Sequence, residues 1–443
     1  MNILKTLALA SVLVPVSGLL AQENVAEQPI SAESAKASNA EITAKVGAKE
    51  ILSKAFAEFA EELGVTYGDV TPDGRFYSKG QAVVNADPAS PQFIKSRSMA
   101  YERAYMNAVS QFILDFYGRQ VTQKLNEYYG NNSSDAEDSP IAKAKGICEK
   151  IKLLADAKLN TALAGEGVPP EKYAQAGVVE KRKLLGDAMA VRNSTKALHA
   201  SSGCIPVKTF ESRGEDGRYY IGVVVRYDET SKTLASCFKT KRRPAISRSE
   251  GLTVKQALPA PGEMTENFGV RLYFDETGTP ALLSFGQFGT SYTGKSPALA
   301  ERAEEQAIRQ AKALADAGLT MFINSFMDAC EESTVSEELS SSIVFTDDGN
   351  ATPEDAQKIT DIYRKSVKQT GSDTMAGRST VFEEMIRHPN GHKVAMVVRR
   401  WSFGTVDAIR ALDNPKRNVK PAAEVPAVQK EGAGVRKGRT YDF

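Results

Sequence analysis

One loop of this sequence has the residue types and the spacing of a phosphate-binding site. Residues 289–296 read Gly-Thr-Ser-Tyr-Thr-Gly-Lys-Ser, which satisfies the pattern G-x-x-x-x-G-K-S. In a P-loop, successive backbone amides wrap the phosphates of a nucleotide, and the lysine neutralises their charge. The loop also lies between a predicted strand and a predicted helix, as that chemistry requires. Gly289, Gly294, Lys295 and Ser296 are therefore the candidate nucleotide-binding residues.

Three features favour a structural role for the same loop. Pro297 follows Ser296 directly and removes a backbone amide where the helix should begin. Another Ser-Pro pair, Ser90-Pro91, precedes a second predicted helix without any Gly-Lys, so helix capping explains what the two loops share. An exported chain, which the N-terminus indicates, would also meet few nucleoside triphosphates. We predict no cofactor and keep nucleotide binding as the alternative.

Candidates for metal and acid–base chemistry are sparse. His388 and His392 flank Asn390-Gly391, a dipeptide typical of a hairpin turn, but no third ligand accompanies them. A group of acidic and amide residues resembles a calcium loop in composition, lacks EF-hand spacing, and is better interpreted as the start of a helix: Asp347, Asp348, Asn350, Glu354 and Asp355. The sequence has no G-x-S-x-G elbow or HExxH helix. We predict no catalytic residues and no metal site.

The elements that would position these residues are two similar helices. Within 97–116, apolar residues recur every fourth position in two stripes: Ala100, Ala104, Ala108, Phe112 and Phe116, and beside them Tyr101, Tyr105, Val109 and Ile113. Two adjacent stripes at that spacing predict a helix with one broad apolar face. The first stripe returns 207 residues later (307 − 100 = 207) as Ala307, Ala311, Ala315, Leu319 and Ile323. A helix pattern that occurs twice at a constant spacing indicates a duplicated domain.

Strand patterns repeat in the same order around the two helices. GRYYIGVVVRY, from Gly217, matches GHKVAMVVRRW, from Gly391, and Gly80-Gln81 matches Gly286-Gln287. Each copy therefore reads as hairpin, long helix, helical insert and hairpin. Short turns join antiparallel strands, and a helix with one apolar face needs a sheet to cover. We predict an α+β fold of two homologous domains, each an antiparallel sheet covered on one face by a long Ala-striped helix plus a helical insert.

Composition and the N-terminus bound the class of protein. The chain has 443 residues, of which 42% are hydrophobic and 25% charged, and its net charge is +1. These values are typical of globular protein and do not indicate a nucleic-acid partner. Lys5 precedes an uncharged run from Thr6 to Ala21, which predicts a signal peptide cleaved after Ala21, with Gly18 as the alternative. We expect a periplasmic or secreted protein without a membrane span after cleavage.

The predicted segments follow from these patterns. A polar, basic connector from about Glu229 to Gly262 joins the copies and ends in a Pro-rich stretch. We assign six segments: signal peptide 1–21, flexible leader 22–45, first α+β repeat 46–240, linker 241–262, second α+β repeat 263–406 and disordered tail 407–443.

Four cysteines become relevant if the chain is exported: Cys148, Cys204, Cys237 and Cys330. They allow three pairings, among which the sequence cannot choose. Cys204 and Cys237 flank one predicted hairpin, which makes them a candidate disulfide pair.

The motif RSMAYERAYMNAVSQFI and its Gly-Gln strand resemble a known exported domain. The order of strand, Ala-striped helix and hairpin is similar to the small domain in the N-terminal part of flagellar assembly protein T and to small lipoproteins related to it. More loosely, the chain resembles exported bacterial proteins of unknown function that contain R-x-M-A-Y-E-R-A. The resemblance covers Gly80–Tyr227 and again Gly286–Trp401. It implies an envelope protein that works through contacts and carries no known catalytic residues.

The expected function is therefore coarse. We expect an exported, non-enzymatic protein of the cell envelope with an interaction or scaffolding role and with other envelope proteins as partners. The alternative is an enzyme, either a P-loop-like nucleotide-binding protein through Gly289–Ser296 or an unrecognised hydrolase. The residues shared by the two copies are packing and turn types, which favours the first of these.

Overall fold

A computed structural model describes residues 47–129, 150–290, 292–323 and 377–413. The elements of the first half are α1 Ala48–Leu63, β1 Phe76–Val83, α2 Phe93–Tyr129, α3 Asp156–Gly165, α4 Pro170–Tyr173, α5 Val178–Ala200, β2 Ile205–Arg213, β3 Tyr219–Tyr227 and α6 Glu229–Thr240. Those of the second half are α7 Val254–Ala257, a 3₁₀ helix Pro261–Glu266, β4 Gly269–Phe274, β5 Pro280–Gly289, α8 Pro297–Ile323, β6 Arg378–Arg387, β7 Lys393–Trp401 and α9 Phe403–Asp413.

The strands form two separate antiparallel sheets, which confirms the predicted α+β class. The first sheet has the order β1-β3-β2 and the second the order β4-β5-β7-β6. The strand patterns that the sequence repeats have equivalent positions in the two sheets. Gly80 pairs with Val223 in the first sheet, and Gly286 pairs with Val397 in the second. The strand β4 has no counterpart in the first sheet, where the corresponding stretch makes only the bridge between Val70 and Phe76.

A tight helix–sheet contact explains the alanine stripes. A Cβ atom added at Gly80 would lie 2.2 Å from the carbonyl oxygen of Ala104 on α2. At Gly286 it would lie 1.9 Å from the carbonyl oxygen of Ala311 on α8. Such distances leave no space for a side chain, so glycine on the strand and alanine on the helix allow the two backbones to touch. The same contact is built in both repeats.

The opposite face of each sheet is also covered, by elements that differ between the repeats. Helix α1 covers the first sheet, where Leu52 and Phe56 pack with Tyr77 and Val224. In the second sheet the cover comes from the segment before β4: Met264 of the 3₁₀ helix packs with a cluster that includes Tyr273, Ala281, Leu283, Phe285, Met396 and Val398. Each sheet is therefore the middle of three layers.

Two helices follow the last strands of the repeats. Helix α6 occupies the beginning of the predicted connector and starts with a capping box between Asp228 and Ser231. Helix α9 extends to Asp413, beyond the predicted start of the tail at 407. Both helices bury apolar side chains in one shared cluster, which includes Phe238 from α6 and Phe403 from α9. The two halves thus meet through these helices.

The sequence left the pairing of the four cysteines open and offered Cys204 and Cys237 as one candidate pair; in the structure these two thiols are free. The two residues pack against different cores. Cys204 is fully buried in the core beneath α2, whereas Cys237 lies on α6 beside the cluster that contains Phe238. Burial raises the pKa of both thiols, so both are held as protonated, weakly reactive groups. Cys148 and Cys330 lie outside the described residues.

Of the helices in the described ranges, not one combines the length and the hydropathy that crossing a bilayer demands.

Candidate functional site

The predicted nucleotide loop follows strand β5 and precedes helix α8. Gly289 ends the strand, and its missing side chain makes room for Ile94, since an added Cβ would lie 2.7 Å from the Cβ of that residue. The backbone N–H of Ser296 donates to the hydroxyl of Tyr292 at 3.0 Å, so this amide already has an acceptor. Gly294 lies against the same tyrosine ring, and Lys295 is exposed. Nucleotide binding by this loop stays the alternative interpretation.

The two candidate histidines lie on the turn between β6 and β7. Gly391 has a left-handed backbone, with φ of 90°, and its N–H donates to the carbonyl of His388 at 2.8 Å. This is the hairpin turn that the sequence predicts. The Nε2 atom of His392 lies 2.9 Å from the carbonyl oxygen of Pro88, and the side chain of Asn390 donates to the same oxygen at 3.1 Å. The turn therefore docks the second repeat onto the first.

Metal-ligating side chains are not gathered in the described ranges, where no group of three or more His, Cys, Asp and Glu is placed to hold an ion. The acidic stretch 347–355, interpreted from the sequence as a helix start with calcium as the alternative, lies outside the described residues.

A buried arginine joins the two repeats. Arg97, in the second turn of α2, is 1% exposed. Its Nε donates to Glu211 of β2 at 2.9 Å, and a second guanidinium nitrogen bonds the other oxygen of that carboxylate. The remaining donors reach the second half, to Gln287 of β5 at 2.9 Å and to the carbonyl of Thr265 at 2.7 Å. We call these four residues the inter-repeat lock.

Every strong polar group of the inter-repeat lock has a partner. The hydroxyl of Tyr219 donates to Glu211 at 2.5 Å, and the guanidinium of Arg97 lies 4.5 Å from the ring centre of Phe268. Burial alone would raise the pKa of Glu211, but the charge of Arg97 and the hydrogen bonds from Arg97 and Tyr219 outweigh it and hold the pKa below its usual value. Desolvation offsets much of the attraction within a buried charge pair, so the pair by itself adds little stability, but the hydrogen bonds of Arg97 reach both repeats. The lock therefore holds the two sheets in one relative position.

A cleft opens where the two sheets approach each other, with a volume of about 680 Å³. We call it the arginine cleft. Its walls come from the start of β2, the end of β3, the predicted linker and the edge strand β4: Ile205, Pro206, Val207, Arg226, Arg248, Glu250, Gly251, Leu252, Arg271, Leu272, Tyr273 and Phe274. Within the part of the chain that the structure describes, Glu250 is the only carboxylate in this lining, opposite three guanidinium groups.

The three guanidinium groups of the arginine cleft are held in defined positions. Arg248 lies over the ring of Phe274, 4.3 Å from its centre, and no carboxylate of the described residues forms an ion pair with it. Arg271 lies 5.4 Å from the ring centre of Phe285 and donates to the side-chain oxygen of Asn267. Arg226 pairs with Asp228 at 3.1 Å. Stacking on the ring of Phe274 leaves the edge of the Arg248 guanidinium free to bind a carboxylate or phosphate with two donors, whereas Arg271 and Arg226 already engage Asn267 and Asp228.

The predicted linker forms a fixed wall of this cleft. The N–H of Arg248 donates to the carbonyl of Gly278 at 2.9 Å, and the N–H of Leu252 donates to the carbonyl of Phe274 at 2.8 Å. A Cβ atom at Gly251 would lie 1.6 Å from the carbonyl oxygen of Asp275, so only glycine permits this approach. The linker is thus packed along the β4–β5 hairpin.

Sequence reasoning missed both the lock and the cleft. A signal for the lock was present, because Arg97 stands one step before an otherwise apolar stripe of α2: Tyr101, Tyr105, Val109 and Ile113. A charge in line with a buried stripe indicates a buried partner. The cleft gives no comparable signal, since its arginines come from three separate segments.

Comparison with known proteins supports the fold and leaves function open. A family model described as a domain of unknown function, DUF6844, matches residues 144–240. No curated protein matches the sequence. Among solved structures, the crystal structure of hypothetical protein FTT1539c from Francisella tularensis is similar, with a TM-score of 0.50 and 24% sequence identity. The match covers 81% of this chain and 92% of that one. The resemblance to flagellar assembly protein T stays a prediction.

Proposed function

We propose that the protein is an exported, non-enzymatic binding protein of the cell envelope that presents a preformed surface to partner proteins. The observation that carries this proposal is the arginine cleft. Aromatic rings position Arg248 and Arg271, Asp228 positions Arg226, and the linker wall is hydrogen-bonded to a neighbouring hairpin. Preformed clefts with few, fixed polar groups are typical of binding sites. Export rests on the N-terminal pattern of a basic residue followed by an apolar run.

The chemistry of the cleft favours binding over catalysis. Acyl transfer and hydrolysis need a nucleophile or a bound water next to a general base. The lining offers guanidinium groups, which stay protonated, together with one exposed carboxylate and aliphatic or aromatic side chains. Its tyrosine, Tyr273, has a pKa that burial raises, although the nearby Arg400 opposes the rise, so its phenol stays protonated. These groups can hold an anion and do not form an acid–base pair.

The alternative is nucleotide binding through Gly289–Ser296. It has the sequence pattern in its favour, together with an exposed lysine at 295. Two observations oppose it. The N–H of Ser296 already donates to the hydroxyl of Tyr292, and the strand before the loop belongs to an antiparallel sheet.

A pull-down of the tagged mature protein from an envelope extract, run beside a nucleotide-binding titration, tests the proposal. We expect specific protein partners and no nucleotide affinity. Affinity for ATP that is lost in Lys295→Ala would support the alternative and overturn the proposal. Cell fractionation supplies the control on export: a chain that stays in the cytoplasm with its first 21 residues intact contradicts it.

A further inference from the structure

Each sheet has two outer strands, and contacts within the described residues cover three of these four edges. Strand β2 packs beside β4, where a Cβ atom at Gly269 would lie 3.2 Å from the ring of Pro206. On β1, the carbonyls that point away from β3 accept hydrogen bonds from Gly68, Asn107 and Arg103. Covered edges of this kind do not pair with other chains. The outer edge of β6 receives no such bond from the described residues.

The turn between β6 and β7 shows which backbone groups of β6 point outward. The N–H of His388 donates to the carbonyl of His392 at 2.9 Å, so these two residues form a hydrogen-bonded pair across the hairpin. Alternate residues of an antiparallel strand direct their N–H and C=O groups to opposite sides. The backbone groups of Glu383, Met385 and Arg387 therefore point away from β7. The irregularity in the register of β6 comes earlier in the strand, so this stretch is regular.

The charges of this stretch are complementary to a second copy of the same strand. Glu383 and Arg387 are both exposed and carry opposite charges. If two β6 strands pair antiparallel about a twofold axis through Met385, Glu383 of each copy lies directly opposite Arg387 of the other. Opposite charges at such positions stabilise a pair of strands, and like charges destabilise it. An axis through Glu383, Glu384 or Arg387 would place like charges opposite each other, so the charges favour the axis through Met385.

The existing contacts of these two side chains leave room for the pairing. One carboxylate oxygen of Glu383 pairs with Lys312 of α8 at 2.7 Å, and both side chains are 36% exposed. A carboxylate has two acceptor oxygens, so the other oxygen can accept from a guanidinium. Arg387 donates to the carbonyl of Gly391 at 3.4 Å, and no carboxylate of the described residues forms an ion pair with it.

We propose that two copies of the protein associate through their β6 strands, which join the second sheets of both molecules into one antiparallel sheet about a twofold axis at Met385. Main-chain hydrogen bonds between the strands supply the affinity, and the two Glu383–Arg387 pairs set the register. A symmetric contact uses the same edge of each copy, whereas a head-to-tail contact needs a second open edge. Within the described residues, β1, β2 and β4 do not offer one. This inference is independent of the arginine cleft.

Sedimentation equilibrium of the full mature protein tests the association, and we expect a dimer that dissociates on dilution. Glu383→Arg and Arg387→Glu should each raise the dimer dissociation constant about tenfold or more, because like charges then face each other at two symmetric places. The double variant Glu383→Arg/Arg387→Glu restores opposite charges across the axis. It should return the dissociation constant to within about threefold of the wild-type value.

Two controls separate this contact from other effects of charge. Lys312→Gln removes the ion pair within one molecule and should leave the dissociation constant within about threefold. Glu215→Arg reverses an exposed charge on the β2–β3 turn and should leave it within about twofold. A protein that stays monomeric at every concentration overturns the proposal. A dimer that Glu383→Arg leaves intact, or that the double variant does not restore, would have its interface elsewhere and would also overturn it.

Hydrogen exchange of the wild-type protein keeps the test valid if the charge variants fail to fold. The outward amides of Glu383, Met385 and Arg387 should exchange about tenfold or more slowly in concentrated than in dilute protein, because only the dimer gives them acceptors. The amide of Gln81, on the covered edge of β1, is the control and should exchange equally at both concentrations. Slow exchange of the β6 amides at every concentration would mean that the chain covers its own edge, which contradicts the proposal. Fast exchange at every concentration would contradict it as well.

Discussion

The two repeats share their packing and differ in their polar contacts. Gly80 of β1 approaches the backbone of α2 at Ala104, and Gly286 of β5 approaches the backbone of α8 at Ala311 in the same way, so both copies keep this contact. The position of Arg97 in the first helix corresponds to Glu304 in the second (304 − 97 = 207), and the two residues have opposite charges. Arg97 is buried in the inter-repeat lock, whereas Glu304 pairs with Lys393 near the surface. The duplication therefore preserves the scaffold, while single positions within it acquire separate roles.

Removing the charge at these two positions should give the largest contrast. We expect Arg97→Ala to lower the free energy of unfolding by about 3 kcal/mol, because it leaves the half-buried carboxylate of Glu211 without its cationic partner. Glu304→Ala breaks an exposed ion pair and should cost about 0–1 kcal/mol. Urea denaturation of both variants measures the difference. Equal small losses would show that Arg97 does not hold the repeats together.

The lock also predicts acid sensitivity, with a sign that follows from Glu211. Its pKa is lowered below the ordinary value of 4.5, so its ionised form stabilises the folded state at higher pH, and this stabilisation is lost as the pH falls below 4.5. Arg97→Ala should show a weaker loss of stability than the wild type between pH 5 and about pH 3. A parallel pH profile in the two proteins would contradict this assignment.

The shared glycine contact should give equal effects in the two repeats. Gly80→Ala and Gly286→Ala each insert a methyl group where a backbone atom lies about 2 Å away, and each should cost about 2–3 kcal/mol through overpacking. Gly118→Ala is the control, because this helical glycine on α2 has open space around it and should stabilise by about 0.5–1 kcal/mol. Thermal unfolding monitored by circular dichroism checks all three. A large loss in one repeat alone would separate the two contacts.

A third pair of positions compares a carboxylate with an aromatic residue. Asp115 of α2 corresponds to Phe322 of α8, which is 1% exposed (322 − 115 = 207). Burial raises the pKa of Asp115 from 3.8 to about 6, and the hydrogen bond from Gln111 opposes the rise. A raised pKa means that stability is complete below pH 3.8 and is lost as the pH rises through 6.

Asp115→Asn should therefore stabilise the protein by about 1–2 kcal/mol at pH 8 and have little effect at pH 3.5. Asp187→Asn, on the exposed side of α5, is the matched control and should change stability by less than about 0.5 kcal/mol at either pH. Urea denaturation at the two pH values decides. A gain at pH 8 that persists at pH 3.5 would have another cause than ionisation.

The smallest expected contrast lies between two buried serines. Ser284 donates to the carbonyl of Ala315 at 2.6 Å, whereas its counterpart Ser78 (284 − 78 = 206) is buried with no hydrogen-bond partner among the described residues. Ser284→Ala should cost about 1 kcal/mol, and Ser78→Ala should be neutral or slightly stabilising. Denaturant midpoints of the two variants measure this. Equal costs would mean that the hydroxyl of Ser78 has a partner.

Periodicity predicted the parts of this fold that depend on local spacing. The stripe that includes Ala100, Ala104 and Ala108 predicted α2 and its buried face, and the turns at Gly217 and Gly391 have the left-handed backbone that their sequences favour. Helix α6 was missed because its lysines and its neighbouring basic run obscure an apolar face of Leu234, Ala235 and Phe238.

The lock and the cleft depend on contacts that no local pattern records. Arg97 meets Glu211 and Gln287, which are 114 and 190 residues away along the chain. The cleft needs the relative placement of two sheets and a linker. Spacing predicts which side of a helix is buried, but the identity of the residue that it meets depends on tertiary packing.

The position of the central strands has a kinetic consequence. β3 lies between β1 and β2, and β7 lies between β5 and β6, so in both repeats a strand that joins two others is the last of the three in chain order. Gly80 pairs with Val223, which lies 143 residues later in the chain (223 − 80 = 143). Gly286 pairs with Val397, which lies 111 residues later (397 − 286 = 111). Contacts at such separation close slowly, because the intervening chain loses its entropy first. During synthesis, each helix and its first strand therefore form an open, incomplete unit until the final hairpin arrives.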